Sequence, residues 1–589
     1  MARLALAITA ALTACSSPPP ATPSLTPLAF CKPSQPCWPA AADWQALAAQ
    51  LTGKLERPTS PLAACDAAPT SEACAAALRT ARNPFFLEDQ VGGTQQAGWL
   101  NAWEPRQSVY AIVAETAGDV AAGVKFAAAH QLRLAIKGTG HDYLGRSSAP
   151  DSLLIWTHHM RKVDLADAFV PHGCPATTPA VSTVTVGAGA RWLEAYQAVT
   201  VEHGRYVQGG GCTSVGAAGG FLQGGGFGSW SKKYGTGAAG LVEAEVVTAD
   251  GQTVIANACQ HADLFWALRG GGGGTFGVVT KATLLTHPLP TTFGAVHGTV
   301  TAANDAAFRD LIGHFVTFYR DQLNNEHWGE SVNFSPKNEL EISMAFEGLS
   351  EAEAAAVWQP LRAWIESQPA LKIALEVHAV PASKMWSYDF FHQYAADAIQ
   401  TDDRPGAPHG QYWWSGDAEQ VHTYWYAYES RWLPVALFQP AQSNKLADAL
   451  FAASRQAWFA LHFNKGLAGG APDALARTRD TATNPAVLDA AALYLTGALG
   501  DVVPGVPGHD LDRAKAEARR AKVTAATKII RDLTPGAGSY VNETSFFEPD
   551  WQHAFWGTNY EKLLAIKRKY DPRGLFVCHH CVGSEASGI

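Results

Sequence analysis

The sequence predicts an α+β protein in which a two-part cofactor-binding domain is interrupted by a second α+β domain. Three observations point to this. A strand–helix–strand alternation begins near residue 109. It runs into the first of two glycine-crowded loops, "KGTGHDYLGRSS" and "GGGCTSVGAAGGFLQGGGFG", and glycine lets a backbone take positive φ and approach a ligand closely. After about residue 286 the character changes to long helical stretches alternating with strand-like runs, until a strand–loop–helix tail opens near Gly536.

The 589 residues are enough for about two to four domains of ordinary size, and 47% apolar content describes a folded globular chain. Net charge is −9 and no long basic run occurs. That argues against nucleic acid and anionic membranes as main partners. The start, "MARLALAITAALTACSSPPP", places Arg3 before a short apolar run and small residues before Cys15. It is too short to span a bilayer and reads as an export signal. The "LTAC" ending is similar to a bacterial lipoprotein signal, with Cys15 the lipidated first residue, the alternative being an ordinary secretory peptide cut nearby. The expectation is therefore an exported protein, lipid-anchored to the envelope or periplasmic. Export permits disulfides. Ten cysteines occur, and setting aside Cys15 and Cys212 leaves an even eight. Cys31, Cys37, Cys65 and Cys74 lie close enough in sequence to staple an N-terminal segment.

Taken in order, residues 1–15 are the signal and residues 16–85 a Pro/Cys-rich tether and N-terminal segment. Residues 86–285 form the first part of the cofactor domain, with "VYAIVAE" a strand, "AGDVAAGVKFAAAHQ" an amphipathic helix and "LRLAIKG" a second strand. "STVTVGAG" adds a strand, and "LVEAEVVTADGQTVIA" a hairpin turning at Asp250-Gly251. Gly272-x-Gly274-x-x-Gly277 matches the dinucleotide fingerprint but follows a helix and leads into a strand, the reverse of what that motif requires. Residues 286–535 alternate helices such as "AANDAAFRDLIGHFVTFYRDQL" with strands such as "ELEISMAFEG", which predicts an antiparallel sheet covered by helices. Residues 536–589 return to the first domain.

Two loops carry chemistry. In "KGTGHDYLGRSS", backbone N–H groups of Gly138, Thr139 and Gly140 are placed to cradle an anion, and His141 stands beside Asp142, which is placed to fix its tautomer. In the second loop Cys212 has four open roles: packing, a disulfide, a metal ligand, or covalent attachment. "CHHC" at 578–581 invites a metal, but adjacent side chains diverge, so disulfides are the expectation for Cys578 and Cys581 and no metal site is expected.

Together, "AIKGTGHDYLGRSS", "GGGCTSVGAAGGFLQGGGFG", "DLFWALRGGGGGTFGVVT" and "NYEKLLAIKRKYDPRGLF", in this order and spacing, resemble the berberine bridge enzyme-like branch of the vanillyl-alcohol oxidase and p-cresol methylhydroxylase flavoproteins. The resemblance is strong over residues 100–285 and 536–580 and loose between them. It implies a p-cresol methylhydroxylase-type FAD domain in two parts around a substrate domain, and bicovalent FAD attached through His141 and Cys212. The cofactor set it implies is Gly138, Thr139, Gly140, His141, Asp142, Cys212, Val215, Gly216, Gly219, Gly224, Gly226, Gly277, Val278, Asn559 and Tyr560. Val215 falls where the family gates oxygen, and its small side chain implies an oxidase. Gly220 departs from the histidine common there. The implied reaction is hydride transfer from an alcohol of a sugar or aromatic compound, with O2 reduced to H2O2; a dehydrogenase with another acceptor and a non-catalytic ligand-binding lipoprotein are the alternatives. "SYVNE" makes Tyr540 the candidate base and Asn542 its neighbour, although a phenol of ordinary pKa ~10 needs help to act as one. In "GQYWWSGDAEQVHTYWYAYESRWLP", Tyr412, Trp414, Tyr424, Tyr426 and Tyr428 are the candidate substrate platform, with the last three sharing one strand face.

Overall fold

The computed structural model describes residues 28–585. The signal and Cys15 lie outside them. Three main sheets organise the chain. The first has four strands in the order Lys54–Glu56, Tyr110–Val113, Ser152–Trp156 and Arg133–Lys137, the last three running parallel. The helix Ala117–His130 joins two of these strands, and Thr116 and Asp119 form a capping box at its start. Asp119 also accepts N–H groups of Thr52 and Gly53. A segment expected to lie outside the cofactor domain thereby contributes that sheet's edge strand. Lys137 ends the last strand with its ammonium donating to the carbonyls of Gln90, Val91 and Gly93 at 2.7 to 3.1 Å, which fixes the entry to the His141 loop.

The second sheet is antiparallel, in the order Thr253–Asn257, Leu241–Val247, Val278–Pro288, Val181–Gly187 and Val163–Phe169, with Arg205–Val207 paired beside Val278–Pro288. Cys174 and Cys259 form a disulfide next to its edge. Cys31–Cys37, Cys65–Cys74 and Cys578–Cys581 are also bonded, which leaves Cys212 the one free cysteine among the described residues.

The third sheet has eight strands, in the order Leu371–Pro381, Thr292–Ala302, Glu339–Glu347, Trp328–Ser335, Phe459–His462, Ala490–Gly500, Thr423–Pro434 and Gln96–Trp99. It is antiparallel except for the last pair, because its edge strand comes from the N-terminal half of the chain. Helices Asp305–Phe318, Glu351–Glu366, Ser443–Ser454 and Arg513–Leu533 cover one face, burying Phe308, Phe315, Trp358, Leu450 and Ile530. At about 25 cal/mol per Å2 of apolar area, five such side chains stabilise the pairing of helices and sheet by roughly 10 kcal/mol against exposure. The opposite face carries Tyr428 and Trp432 into the core that the cofactor domain shares. This junction of sheet face and glycine loops positions the site.

Candidate functional site

The two glycine loops are joined by hydrogen bonds. Gly216 N–H donates to Thr139 Oγ1 at 3.0 Å, and His141 Nε2 lies 3.0 Å from Ser214 Oγ. His141 is half-buried, and burial pushes its pKa down to about 3, so the ring is neutral with one nitrogen lone pair at physiological pH. Asp142 does not set its tautomer: that carboxylate takes the Arg146 N–H at 2.6 Å and Nε–H at 2.7 Å. Ser214 stands in the place expected for Asp142.

A Cβ built on Gly211, Gly219, Gly220 or Gly240 would meet no atom within 4 Å. The neighbouring Gly209, Gly224 and Gly226 are instead packed on Trp192, Asn542 and Phe221. The loop therefore presents a side-chain-free wall to open space beside Cys212, with room for a flat ring system against backbone. Gly273 of the five-glycine turn abuts Gly220, with a built Cβ 3.0 Å from its Cα, so the turn closes the far side of that space. Gly277 and Val278 lie against Val246 and Val247 in the second sheet. Asn559 donates to the Thr483 carbonyl, and the Tyr560 hydroxyl accepts Gly583 N–H. Among the described residues no cluster of His, Cys, Asp and Glu could hold a metal ion.

Around Cys212 the structure gathers groups that local sequence patterns do not connect. Asp417, Glu543, Lys465, Tyr143 and Tyr428 are electrostatic neighbours of the thiol or of one another. Lys465 and Glu543 form an ion pair, their side chains 9% and 19% exposed. Glu330, held by Ser229 and Asn464, faces the same pair. The Tyr428 hydroxyl hydrogen-bonds that of Tyr143, which donates to Gln420 Oε1 at 2.9 Å. Burial pushes both phenols well above their ordinary pKa.

Tyr540 is at the site's edge, with two hydrogen-bond donors at its oxygen, the Asn542 side chain and the Gly226 backbone. Its ring is buried against Phe227, and its oxygen accepts Asn542 Nδ2–H at 3.0 Å. Burial, and then the charge of Glu543, push its pKa up, while the hydrogen bonds from Asn542 and the Gly226 backbone work against them. Asn542 also donates to the Gly220 carbonyl, so it stitches this turn to the glycine wall. The predicted aromatic platform divides. A bulge between Trp425 and Ala427 inserts Tyr426 into the strand. Tyr424 and Tyr426 consequently turn together toward the side of Arg513 and Arg519, while Trp425 and Tyr428 pack on Tyr143. Tyr412 is fully buried beneath the Cys212 loop, and Trp414 Nε1 donates to Gly211 O at 3.0 Å. Of the five, Tyr428 and Trp414 border the opening.

Two family models match the chain: an FAD binding domain over residues 109–257, and a berberine and berberine-like domain over residues 539–583. An uncharacterized FAD-linked oxidoreductase of Arthroderma benhamiae is 32% identical over 593 residues, covering 95% of each chain. The chain belongs to the berberine bridge enzyme-like FAD-linked oxidoreductases. The FAD-linked oxidoreductase ZEB1 of Gibberella zeae is 31% identical, with 96% of this flavoprotein and 94% of that one covered. Among solved structures, the VAO-type flavoprotein MtVAO713 of Myceliophthora thermophila superposes with TM-score 0.78 at 24% identity, over 95% of this chain and 98% of that one. Glucooligosaccharide oxidase of Acremonium strictum, described with 6-S-cysteinyl, 8α-N1-histidyl FAD, superposes with TM-score 0.62 at 20% identity, over 89% and 99%. FAD is thus the cofactor of this oxidoreductase, and the glycine wall and neutral His141 fit it.

Proposed function

We propose that this flavoprotein is an exported oxidase of alcohols that holds FAD through both His141 and Cys212 and uses O2 as acceptor. One arrangement carries the reading: neutral His141 is hydrogen-bonded to Ser214, two residues from the free Cys212, whose charged neighbours include Glu543 and Lys465, and Gly211, Gly219 and Gly220 beside it face open space. FAD, when bound, supplies the hydride acceptor and returns the two electrons to O2 as H2O2. The protein's part is to bind the alcohol, take its hydroxyl proton and keep water out. Ser214 engages His141 Nε2, so Nδ1 is the ring nitrogen left to form the covalent bond.

Glu543 is the base. Lys465 holds its carboxylate in place by a charge-assisted hydrogen bond, so the acceptor is oriented before substrate arrives. Tyr428 and Tyr143, the latter donating to Gln420 Oε1, place two hydroxyl groups near Cys212 and Glu543, which suits a substrate that offers several oxygens. Trp414 supplies an aromatic face on which a sugar or an aromatic ring stacks. Sugars and oligosaccharides are the first class to test, a choice supported by the fold shared with a chitooligosaccharide oxidase; aromatic alcohols are the second. Val215, half-buried between the two loops, is small enough to leave oxygen a path.

Denaturing mass spectrometry should find one FAD retained on peptides containing His141 and Cys212. A peroxide screen over sugars and aromatic alcohols should then give turnover. Release of all FAD on denaturation, or reduced flavin that oxygen reoxidises sluggishly, overturns the covalent or the oxidase part respectively.

A further inference from the structure

Asp417 has no role in the reaction above, yet it is held against the cysteine from both sides. It lies in the 3-10 stretch Ser415–Gln420, directly after the strand Tyr412–Trp414. That strand is clamped to the residues flanking Cys212: Thr213 Oγ1 donates to Tyr412 O at 2.6 Å, and Trp414 Nε1 donates to Gly211 O at 3.0 Å. The clamp sets the Asp417 carboxylate among the nearest charges to the thiol. Asp417 Oδ2 is buried with no hydrogen-bond partner, a costly state for a carboxylate that had no function there. The other charged groups facing this contact are Glu330, Glu543 and Lys465.

Burial, and next to it the charge of Asp417, push the Cys212 thiol well above its ordinary pKa, while burial raises the Asp417 carboxyl to about 6. The thiolate, not the thiol, is the nucleophile. A sulfur in these surroundings attacks a ring carbon only if a neighbour removes its proton during the step, and a carboxylate nearer to neutrality than an ordinary Asp is the better acceptor.

We propose that Asp417 is the base that takes the Cys212 proton as the sulfur bonds to flavin C6. The proposal rests on the bicovalent reading. The proton passes from Sγ to the carboxylate and the S–C6 bond forms. The C6–H bond then breaks with loss of its proton, and two electrons leave the ring for O2. Thiol, flavin and O2 thus give thioether-linked flavin and H2O2, with Asp417 returned to the carboxylate when it sheds its proton to solvent. The same residue would be a spectator in alcohol oxidation, which separates its role from that of Glu543.

The test uses the full chain expressed with FAD and followed by denaturing mass spectrometry, peptide mapping and thiol alkylation. Asp417→Asn should keep FAD on His141 but form the Cys212 link at least tenfold more slowly at pH 7, leaving Cys212 open to alkylation. Its rate should recover as pH rises and hydroxide replaces the missing base, and Asp417→Glu should restore most of the link. A role confined to holding the loop's shape gives neither the recovery nor the rescue. Asp417→Asn forming the link within threefold of the wild-type rate overturns the proposal while leaving bicovalent attachment intact. Wild-type protein with FAD on His141 but none on Cys212 overturns both. Loss of both links in Asp417→Asn and Asp417→Glu alike shows a defect in FAD binding and also overturns it.

Discussion

Glu543→Gln separates chemistry from folding. The substitution keeps the side chain's shape and removes the proton acceptor, so the base contribution of about 10^2 to 10^4 should disappear, a barrier increase of roughly 3 to 5 kcal/mol at 1.36 per tenfold. It also leaves the Lys465 ammonium, 9% exposed, without its counter-ion. Stranding a fully buried charge costs about 3 to 5 kcal/mol, but Glu543 is 19% exposed and water reaches the pair from the opening, so about 1 to 3 is the scale here. Unfolding 589 residues at about 2.1 cal/mol/K each gives an entropy near 1.2 kcal/mol/K. The stability loss therefore moves the thermal midpoint by only about 1 to 3 °C. The assay is stopped-flow bleaching of the flavin by an alcohol that the peroxide screen returns as a substrate, with a thermal melt as control. Lys465→Met/Glu543→Gln should recover the midpoint and bleach no more slowly than Glu543→Gln alone, because Lys465 acts through the carboxylate. Bleaching of Glu543→Gln within tenfold of wild type would refute the assignment.

Three further outcomes follow from the geometry. Tyr540→Phe removes one acceptor for the Asn542 amide, a loss of about 1 kcal/mol of stability, and should change flavin bleaching less than tenfold; a hundredfold drop would return the base role to the phenol. Val215→Leu should slow reoxidation of the reduced flavin by O2 at least tenfold while leaving its reduction nearly unchanged, read in the two halves of a stopped-flow experiment. Lys232 donates to Tyr319 Oη at 2.6 Å and Asn324 Oδ1 at 2.9 Å, and burial pushes its pKa down to about 7 from an ordinary 10.5. The native state releases that proton near pH 7 and the unfolded chain keeps it to about 10.5, so the unfolded state binds more protons between those values and stability rises with pH there. Urea melts of Lys232→Met should lose that part of the rise; an unchanged slope would place the charge elsewhere.

The glycine wall was legible because glycine-rich composition implies close approach of a ligand, whereas His141 and Cys212 stood out as attachment points only through the order and spacing of motifs that resemble the family. The acid–base groups were not, since Asp417, Lys465 and Glu543 come from three separate elements that only the eight-stranded sheet brings to one place. Glu543 stands one residue beyond Asn542, and the Tyr540–Glu543 bridge folds the turn so that the carboxylate, not the phenol, meets Lys465. Tyr540 could be picked out by residue type alone, whereas the Glu543–Lys465 pair depends on backbone direction. The tyrosine platform divides for a related reason. Strand alternation assigns Tyr424, Tyr426 and Tyr428 to one face, and one inserted residue reverses that assignment for everything on its far side. The bulge delivers Tyr428 to the cofactor-facing side and takes Tyr424 and Tyr426 to the helix-covered side. Tyr428 then meets Tyr143, two residues after His141, so the His141 loop also carries the ring that links it to the eight-stranded sheet. Deleting Tyr426 would remove the bulge while Trp425 stays opposite Leu499 and Ala427 opposite Ala498, so Tyr428 should keep its contact with Tyr143 and substrate affinity should hold; a fall in affinity would show that the extra residue itself, and not the pairing on either side of it, sets the direction of Tyr428.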